Sequence, residues 1–428
     1  MLREPNRPAP NSDEITLENS NLKWHTLHCE LITPMYGGGV ESTKVDEKMP
    51  IRVSSIRGQL RFWWRLLAKN KWKITDIAKA ETNLWGGMGK GDDDGKASKV
   101  LLKIENIQNL QIAPWAKFEK RPNNPNQYKS IPTPERDWAD VPYVLFPAQG
   151  KKPDSPNQEP PHSVAKAGLN WDLKIAFSPN ITSNEQQQAW ETVRWWANFG
   201  GIGARTRRGL GAVYVKYEHD PMKLSPLTLA EVNQVDGFKW VTRPIVNRRE
   251  WTVASYQAWR EGIEKLKSFR QVNVGRNNNS SRSKWAEPDA IRIITRQSSP
   301  EHRQRMTQDD IFPRAIFGLP IIFKFQNDGD RPTDEPAQTS LQPVYNMKAM
   351  ERMASPLILR PFFNGNGWQA SALLLDTSSF ENLTLKLKQG NREFDVNYGT
   401  ISEFSDLTPI SENGGGDPLQ AFLTYFAR

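Results

Sequence analysis

The order in which the hydrophobic period changes between Trp24 and Tyr217 limits the folds open to this chain more than any other feature. Trp24 to Leu31 alternates and places Leu27, Cys29 and Leu31 on one face, the pattern of a half-buried strand. Ser54 to Lys69 carries a helical pattern behind a Ser N-cap. Val100 to Ile107 reads as a strand, as does Asn170 to Phe177, where Trp171, Leu173, Ile175 and Phe177 share a face. A second helix is expected from Asn184 to Phe199, with Ser183 and Gln186 matching a capping box and Ala189, Val193, Trp196 and Ala197 forming the apolar stripe. Gly200 and Gly201 stop it, and the β-branched and aromatic run Val213 to Tyr217 closes the series as a strand.

The resulting order, β-α-β-β-α-β, is that of a ferredoxin-like or split βαβ unit, in which two helices cover one face of an antiparallel sheet. RNA-recognition domains share it and leave the other face to a partner. A chain of 428 residues is too long for one core of ordinary size, so two domains are expected. Residues 1–20 are polar and Pro-rich and read as a loose arm. Residues 21–220 form the first ferredoxin-like domain, with a Pro-rich insertion over about 121–161 in which Val141 to Phe146 is a candidate for strand pairing. Residues 221–428 form a second, degenerate ferredoxin-like domain, with a helix from Val253 to Arg270 and apolar segments at Ile316–Phe325 and Pro356–Phe363. The expected class is α+β, two tandem ferredoxin-like (RRM-like) domains with loop insertions.

With 37% hydrophobic and 25% charged residues the chain has the material for packed cores. A formal charge of +9 and a pI near 9.4 favour polyanionic partners through counterion release, nucleic acid first among them. Mild basicity is common, so the distribution of charge has to decide. The single cysteine, Cys29, excludes an intrachain disulfide and gives no hint of an oxidising compartment. No apolar segment has the length of a signal peptide core or a membrane span, so a cytoplasmic protein without membrane contact is expected.

Two motifs carry the charge. On the first helix Ile56, Leu60, Trp63, Trp64 and Leu67 fall on one stripe, and Arg57, Arg61 and Arg65 recur every four residues beside it. Successive arginines lie about 6 Å apart along the axis, near the phosphate spacing of a nucleic-acid strand; the alternative is an ordinary solvated helix face. Trp63 and Trp64 read as core residues. The second motif, GGIGARTRRGLG at Gly200–Gly211, sets five glycines (Gly200, Gly201, Gly203, Gly209, Gly211) and three arginines (Arg205, Arg207, Arg208) between a helix and a strand. Glycines there allow close approach of a phosphate or base and leave N–H groups to cradle an anion; the alternative is a basic loop without a ligand. A dinucleotide fingerprint is rejected, because it needs a strand before and a helix after. GMGKGDDDGK has neither P-loop nor calcium-loop spacing, and the scattered histidines offer no zinc set, so no metal or other cofactor is expected.

Together LITPMYGG, IRVSSIRGQLRFWWR and GGIGARTRRGLGAV resemble the signature segments of the repeat-associated mysterious proteins, the RAMPs, and the double Trp of RFWWR points within them to the first subunits of the type III-B (Cmr) CRISPR effectors. Supporting similarity lies in Leu84–Gly86 with KASKVLLKI, in FGLPIIF and in RMASPLILRPF. The resemblance implies a non-catalytic, RNA-binding subunit of an antiviral effector that holds the 3′ region of the guide RNA or the guide–target duplex, with guide RNA, target RNA and other Cmr subunits as partners. Carried over by motif, the RNA-contacting residues are Arg57, Arg61, Arg65 and the loop Gly200–Gly211, with Arg52 and Lys44 as additions. Several cutting relatives place an Asp before the first helix, and Asp46 stands in a loosely similar place. The rival expectation is therefore a metal-dependent endoribonuclease that cuts target RNA with Asp46, although no second convergent carboxylate or His is visible.

Overall fold

The computed structural model describes residues 22–41, 43–88, 95–138, 141–276, 282–302, 310–345, 348–380 and 383–428; the arm expected over 1–20 and residues 89–94 of the GMGKGDDDGK stretch lie outside them. The first alternation becomes β1 (His25–Leu31), with Leu27, Cys29 and Leu31 buried and His28 exposed. It is followed by α1 (Val53–Asn70), α2 (Ile77–Trp85), β2 (Val100–Gln108), β3 (Asn170–Phe177), α3 (Ser183–Phe199) and β4 (Val213–Lys216). The four strands form one antiparallel sheet in the order β4-β1-β3-β2, with His25 opposite Ile175, Leu31 opposite Val213 and Phe177 opposite Val100. Counting the strands of this sheet and the two long helices α1 and α3, the connectivity is the expected β-α-β-β-α-β, with α2 and several short strands of other sheets inserted between them.

Local signals misplaced two helix starts. The capping box of α3 is Thr182 with Glu185, one residue before the expected pair, and α1 starts behind Arg52, which caps nothing with its side chain. Val141 to Phe146 does not pair as a strand: Pro142–Leu145 makes one helical turn that buries Val144 and Leu145. Proline at the first position of that turn has no N–H to give a ladder and has its φ already set for a helix.

The second half supplies β5 (Lys239–Ile245), α4 (Trp251–Gln271), α5 (Glu287–Thr295), β6 (Thr339–Tyr345), β7 (Leu357–Phe363), β8 (Trp368–Leu374), β9 (Thr384–Gln389), β10 (Arg392–Asn397) and α6 (Pro418–Ala427). Its central sheet has three antiparallel strands in the order β5-β8-β7, with α4 and α6 packed on it. The later strands join a separate sheet in the order Ile321–Phe323, β6, β9, β10, with Lys348–Ala349 added to β6. The fold is a mixed α/β arrangement built mainly of antiparallel sheets.

Apolar packing does not stop between the halves. Trp63 of α1 and Trp195 and Phe199 of α3 belong to one buried cluster with Trp240 of β5 and Ile358 and Phe362 of β7. Phe199 meets Trp240 edge-on at 5.1 Å and stacks on Phe362 at 6.4 Å between ring centroids, so the first sheet's helices are sandwiched against the second half.

Candidate nucleic-acid interface

The sheet face left uncovered in an RNA-recognition domain offers no stacking platform here. His28 pairs with Asp172 at 2.7 Å, Lys174 with Glu105 at 2.7 Å, and Lys103 with the same Glu105. The aromatic ring on that face, Tyr214 of β4, is packed edge-on against Trp251 of α4 at 5.0 Å. Base-stacking modules need free rings on the open sheet, so the basic groups elsewhere become the candidates.

On α1 the three arginines differ. Glu81 of α2, itself buried, accepts Arg61 Nε at 2.6 Å and Arg65 Nη1 at 2.8 Å on a single carboxylate oxygen. No acid partner of Arg57 exists among the described residues. Partial burial and the neighbouring Arg61 hold its guanidinium below its ordinary pKa, yet arginine stays protonated throughout the working range. Three guanidiniums against one carboxylate leave this face with two uncompensated charges. Trp63 and Trp64 are both 1% exposed and belong to the core.

The glycine-rich segment is docked onto α1 and onto the loop after β1. Ala204 N–H donates to the Tyr36 carbonyl at 2.7 Å, Gly203 passes so close to Met35 that an added Cβ would lie 2.7 Å from its Cγ, and Gly38 faces Gly203 Cα. Arg52 ties the same loop to the start of α1 by donating from Nη2 to the Gly38 carbonyl at 2.5 Å. The glycines serve internal contact more than an open cradle. The amides of Gly200, Gly209 and Gly211 go to the carbonyls of Trp196, Thr206 and Pro34, and Gly201 pairs with Ala212. Where free N–H groups were expected to wait for an anion, most are closed by the chain itself.

The arginines of this segment divide as well. Arg205 is exposed, in a left-handed backbone conformation with φ of 59°. Arg207 lies over the Phe62 ring at 5.1 Å and donates to the Ser355 carbonyl; its burial pulls the pKa down to about 10. Arg208 is 9% exposed and donates to the carbonyls of Leu357 (3.0 Å) and Phe317 (2.6 Å), with burial lowering its pKa to about 9. From the other side Arg360 of β7, 4% exposed, donates to the carbonyls of Gly200 (2.7 Å) and Val213 (3.1 Å). These guanidiniums, planar and multidentate, stitch the halves together through main-chain oxygens. Sequence reasoning missed Arg360, although RMASPLILRPF contains it, because the carbonyls it binds lie some 150 residues away.

Replacing Arg360 by Met is expected to destabilise the fold by about 2–4 kcal/mol in denaturant titration. Three bonds from a charged donor are lost, a local one to the Pro361 carbonyl and the two to Gly200 and Val213, at about 1.5–3 kcal/mol each, and relief from burying the charge returns much of that. Unchanged stability would mean that the two carbonyls find other donors.

Lys44 sits on an exposed turn, ion-paired with Glu41 at 2.6 Å. Asp46 occupies the same turn and accepts the amides of Lys48 and Met49, both at 3.0 Å. Among the described residues no group of three or more His, Cys, Asp or Glu is placed to hold a metal ion, and no helix is long and apolar enough to cross a membrane.

Residues 28–214, the segment carrying β1 to β4 and both motifs, match the family model of the RAMP superfamily. No curated protein sequence matches the chain significantly. Among solved structures the chain is similar to apo Cmr1 from Pyrococcus furiosus, at 12% identity over 82% of this chain and 88% of that one, with a TM-score of 0.43. It is also similar to a chain of the type III-B Cmr-β complex bound to cognate target RNA and AMPPnP, at 12% identity over 83% and 94% with a TM-score of 0.41. Oligomeric Cmr4 from Pyrococcus furiosus matches over 46% of this chain and 99% of that one, at 11% identity with a TM-score of 0.24.

Proposed function

We propose that this protein is an RNA-binding, non-catalytic subunit of a type III-B CRISPR effector, with guide RNA, target RNA and other effector subunits as partners. The observation that carries this reading is the set of guanidiniums without acid partners in the segment that matches the RAMP-superfamily model: α1, whose arginines outnumber their acid, and the loop that exposes Arg205, tied to the start of α1 through Arg52, Gly38 and Gly203. Guanidiniums without carboxylate partners favour phosphate, which they can grip in a planar, two-pronged manner. Within the proposed contact set Arg57 and Arg205 are the primary contacts; Arg52, Arg61, Arg65 and Lys44 flank them. Gly200, Gly201, Gly203, Gly209, Gly211, Arg207 and Arg208 shape the loop that presents Arg205. The chain divides in this reading into a RAMP unit over 21–220 and a degenerate second unit over 221–428. Asp46, engaged by its own turn, gives the nuclease reading no support.

The test is titration of guide-length single-stranded RNA against salt. Arg57→Gln with Arg205→Gln should weaken binding across sequences and lower the salt slope by about 0.7 for each lost phosphate contact, with melting unchanged. A wild-type protein that neither binds such RNA nor co-purifies with it would sink the reading.

A further inference from the structure

Strand β4 is an edge of the first sheet, and between it, the turn Pro221–Leu224 and the β7–β8 hairpin of the second half lies a cavity of about 240 Å³. Lys216 and Arg360 line it, and no aspartate or glutamate does. Lys216 is exposed and pairs at 3.0 Å with Glu218, which is not part of the lining. Arg360 has no carboxylate partner among the described residues. Its Nε donates to the Pro361 carbonyl at 3.1 Å, and Nη1 and Nη2 give one bond each to Gly200 and Val213. Each terminal nitrogen therefore keeps a second N–H without a partner among the described residues.

A buried guanidinium without a counter-charge is costly, and an anion entering the cavity would offset that cost. Trp368, 2% exposed and also in the lining, has its Nε1 buried with no partner among the described residues. The wall thus supplies donors and positive charge and calls for acceptors. A phosphate brings acceptors alone, whereas a peptide would bring N–H groups as well. The remaining wall is largely aromatic. Half-buried Phe363 meets Tyr214, Trp251 and Trp368 at 88°, 63° and 51°, so among the described residues no parallel ring covers its faces. Cations beside an uncovered ring are what single-stranded nucleic acid uses, phosphate at the charge and base at the ring. Sites that enclose a whole small-molecule ligand run to about 300–1,000 Å³, so a smaller cavity suits one unit of a strand.

We infer that this cavity seats one nucleotide of a single-stranded RNA, its phosphate toward Lys216 and Arg360 and its base against Phe363. This rests on the RNA-binding reading above and extends it to the seam between the two halves of the chain. Arg360 then has two uses, as the clamp that joins the halves and as the buried charge that receives the strand.

The experiment crosslinks guide-length single-stranded RNA carrying 4-thiouridine to the full chain and maps the attached peptides, beside salt titrations of Lys216→Gln, Phe363→Leu and Arg57→Gln. Crosslinks should fall within 214–217 or 362–368. Lys216→Gln, whose side chain is in solvent, should melt as wild type and lower the salt slope by about 0.7. Phe363→Leu keeps apolar bulk at a half-buried position and loses the flat face, so RNA affinity should fall about fivefold with the slope unchanged. Crosslinks confined to α1 and the glycine-rich segment, with wild-type binding in Lys216→Gln and Phe363→Leu and weakened binding in Arg57→Gln, overturn the seat and leave the RNA-binding reading intact. Uridine monophosphate whose binding is lost in Phe363→Leu, with no RNA crosslink within 214–217 or 362–368, overturns the strand as the occupant. Wild-type protein that neither crosslinks to the RNA nor binds it overturns both.

Discussion

Truncating Trp63 to Ala is expected to remove about 3–5 kcal/mol of stability, the range for emptying a buried indole site, and to appear as a large fall in denaturant midpoint. The ring is fully buried between α1 and α3, 6.1 Å from both Trp195 and Phe199, and through Phe199 it reaches Trp240 and Phe362 of the second half. Its Nε1 has no hydrogen-bond partner among the described residues, so the loss is one of packing alone. Arg57→Gln should behave oppositely. Glutamine keeps helix propensity and removes no partner of Glu81, which Arg61 and Arg65 hold, so melting should move little while RNA affinity falls. A stable Trp63→Ala protein that loses RNA would show that the indole leaves the core to stack on a base.

How far the sequence could be read depended on the range of the interaction concerned. Period-two alternation depends only on neighbours, and it located β1 and β3 to within a residue or so at each end, as the β-branched and aromatic run did for β4. The capping box of α3 was displaced by one because Thr182 precedes Ser183 and Glu185 precedes Gln186, two pairs at equal spacing that the pattern alone cannot rank. The glycine-rich segment was identified as special, but its three arginines are equivalent in sequence. What separates exposed Arg205 from buried Arg208 is the docking of Leu357 and Phe317, contributed by residues more than 100 positions away. The same holds for Glu81, whose capture of Arg61 and Arg65 turns an apparently uniform ladder into one free and two engaged guanidiniums. The second half, whose strands divide between two sheets, has no local pattern that announces this division.

Gly211→Ala should yield little or no folded protein, while Gly58→Ala, also a glycine in the segment that matches the RAMP-superfamily model, should gain roughly 0.5–1 kcal/mol. At Gly211 the backbone φ is +67° and an added Cβ would lie 1.8 Å from the Ile202 carbonyl oxygen. That carbonyl cannot yield, because Ile202 and Gly211 are also joined by an N–H to carbonyl bond at 2.9 Å, and the Gly211 amide is fixed to Pro34 at 2.7 Å. Relief would require opening the crossing that leads the chain from α3 into β4, and with it the carbonyls of Gly200 and Val213 that Arg360 holds. Gly58, by contrast, lies within α1 with nothing within 4 Å of the added carbon, so alanine supplies better helix propensity at no steric cost. Its place between Arg57 and Arg61 gives the pair a second use. If a phosphate strand lies against this face of α1, the methyl group of Gly58→Ala should weaken RNA binding in a protein that melts higher than wild type. Circular dichroism melts and RNA titration on the two variants separate the outcomes. Folded, RNA-binding Gly211→Ala protein would contradict the packing described for the glycine-rich segment.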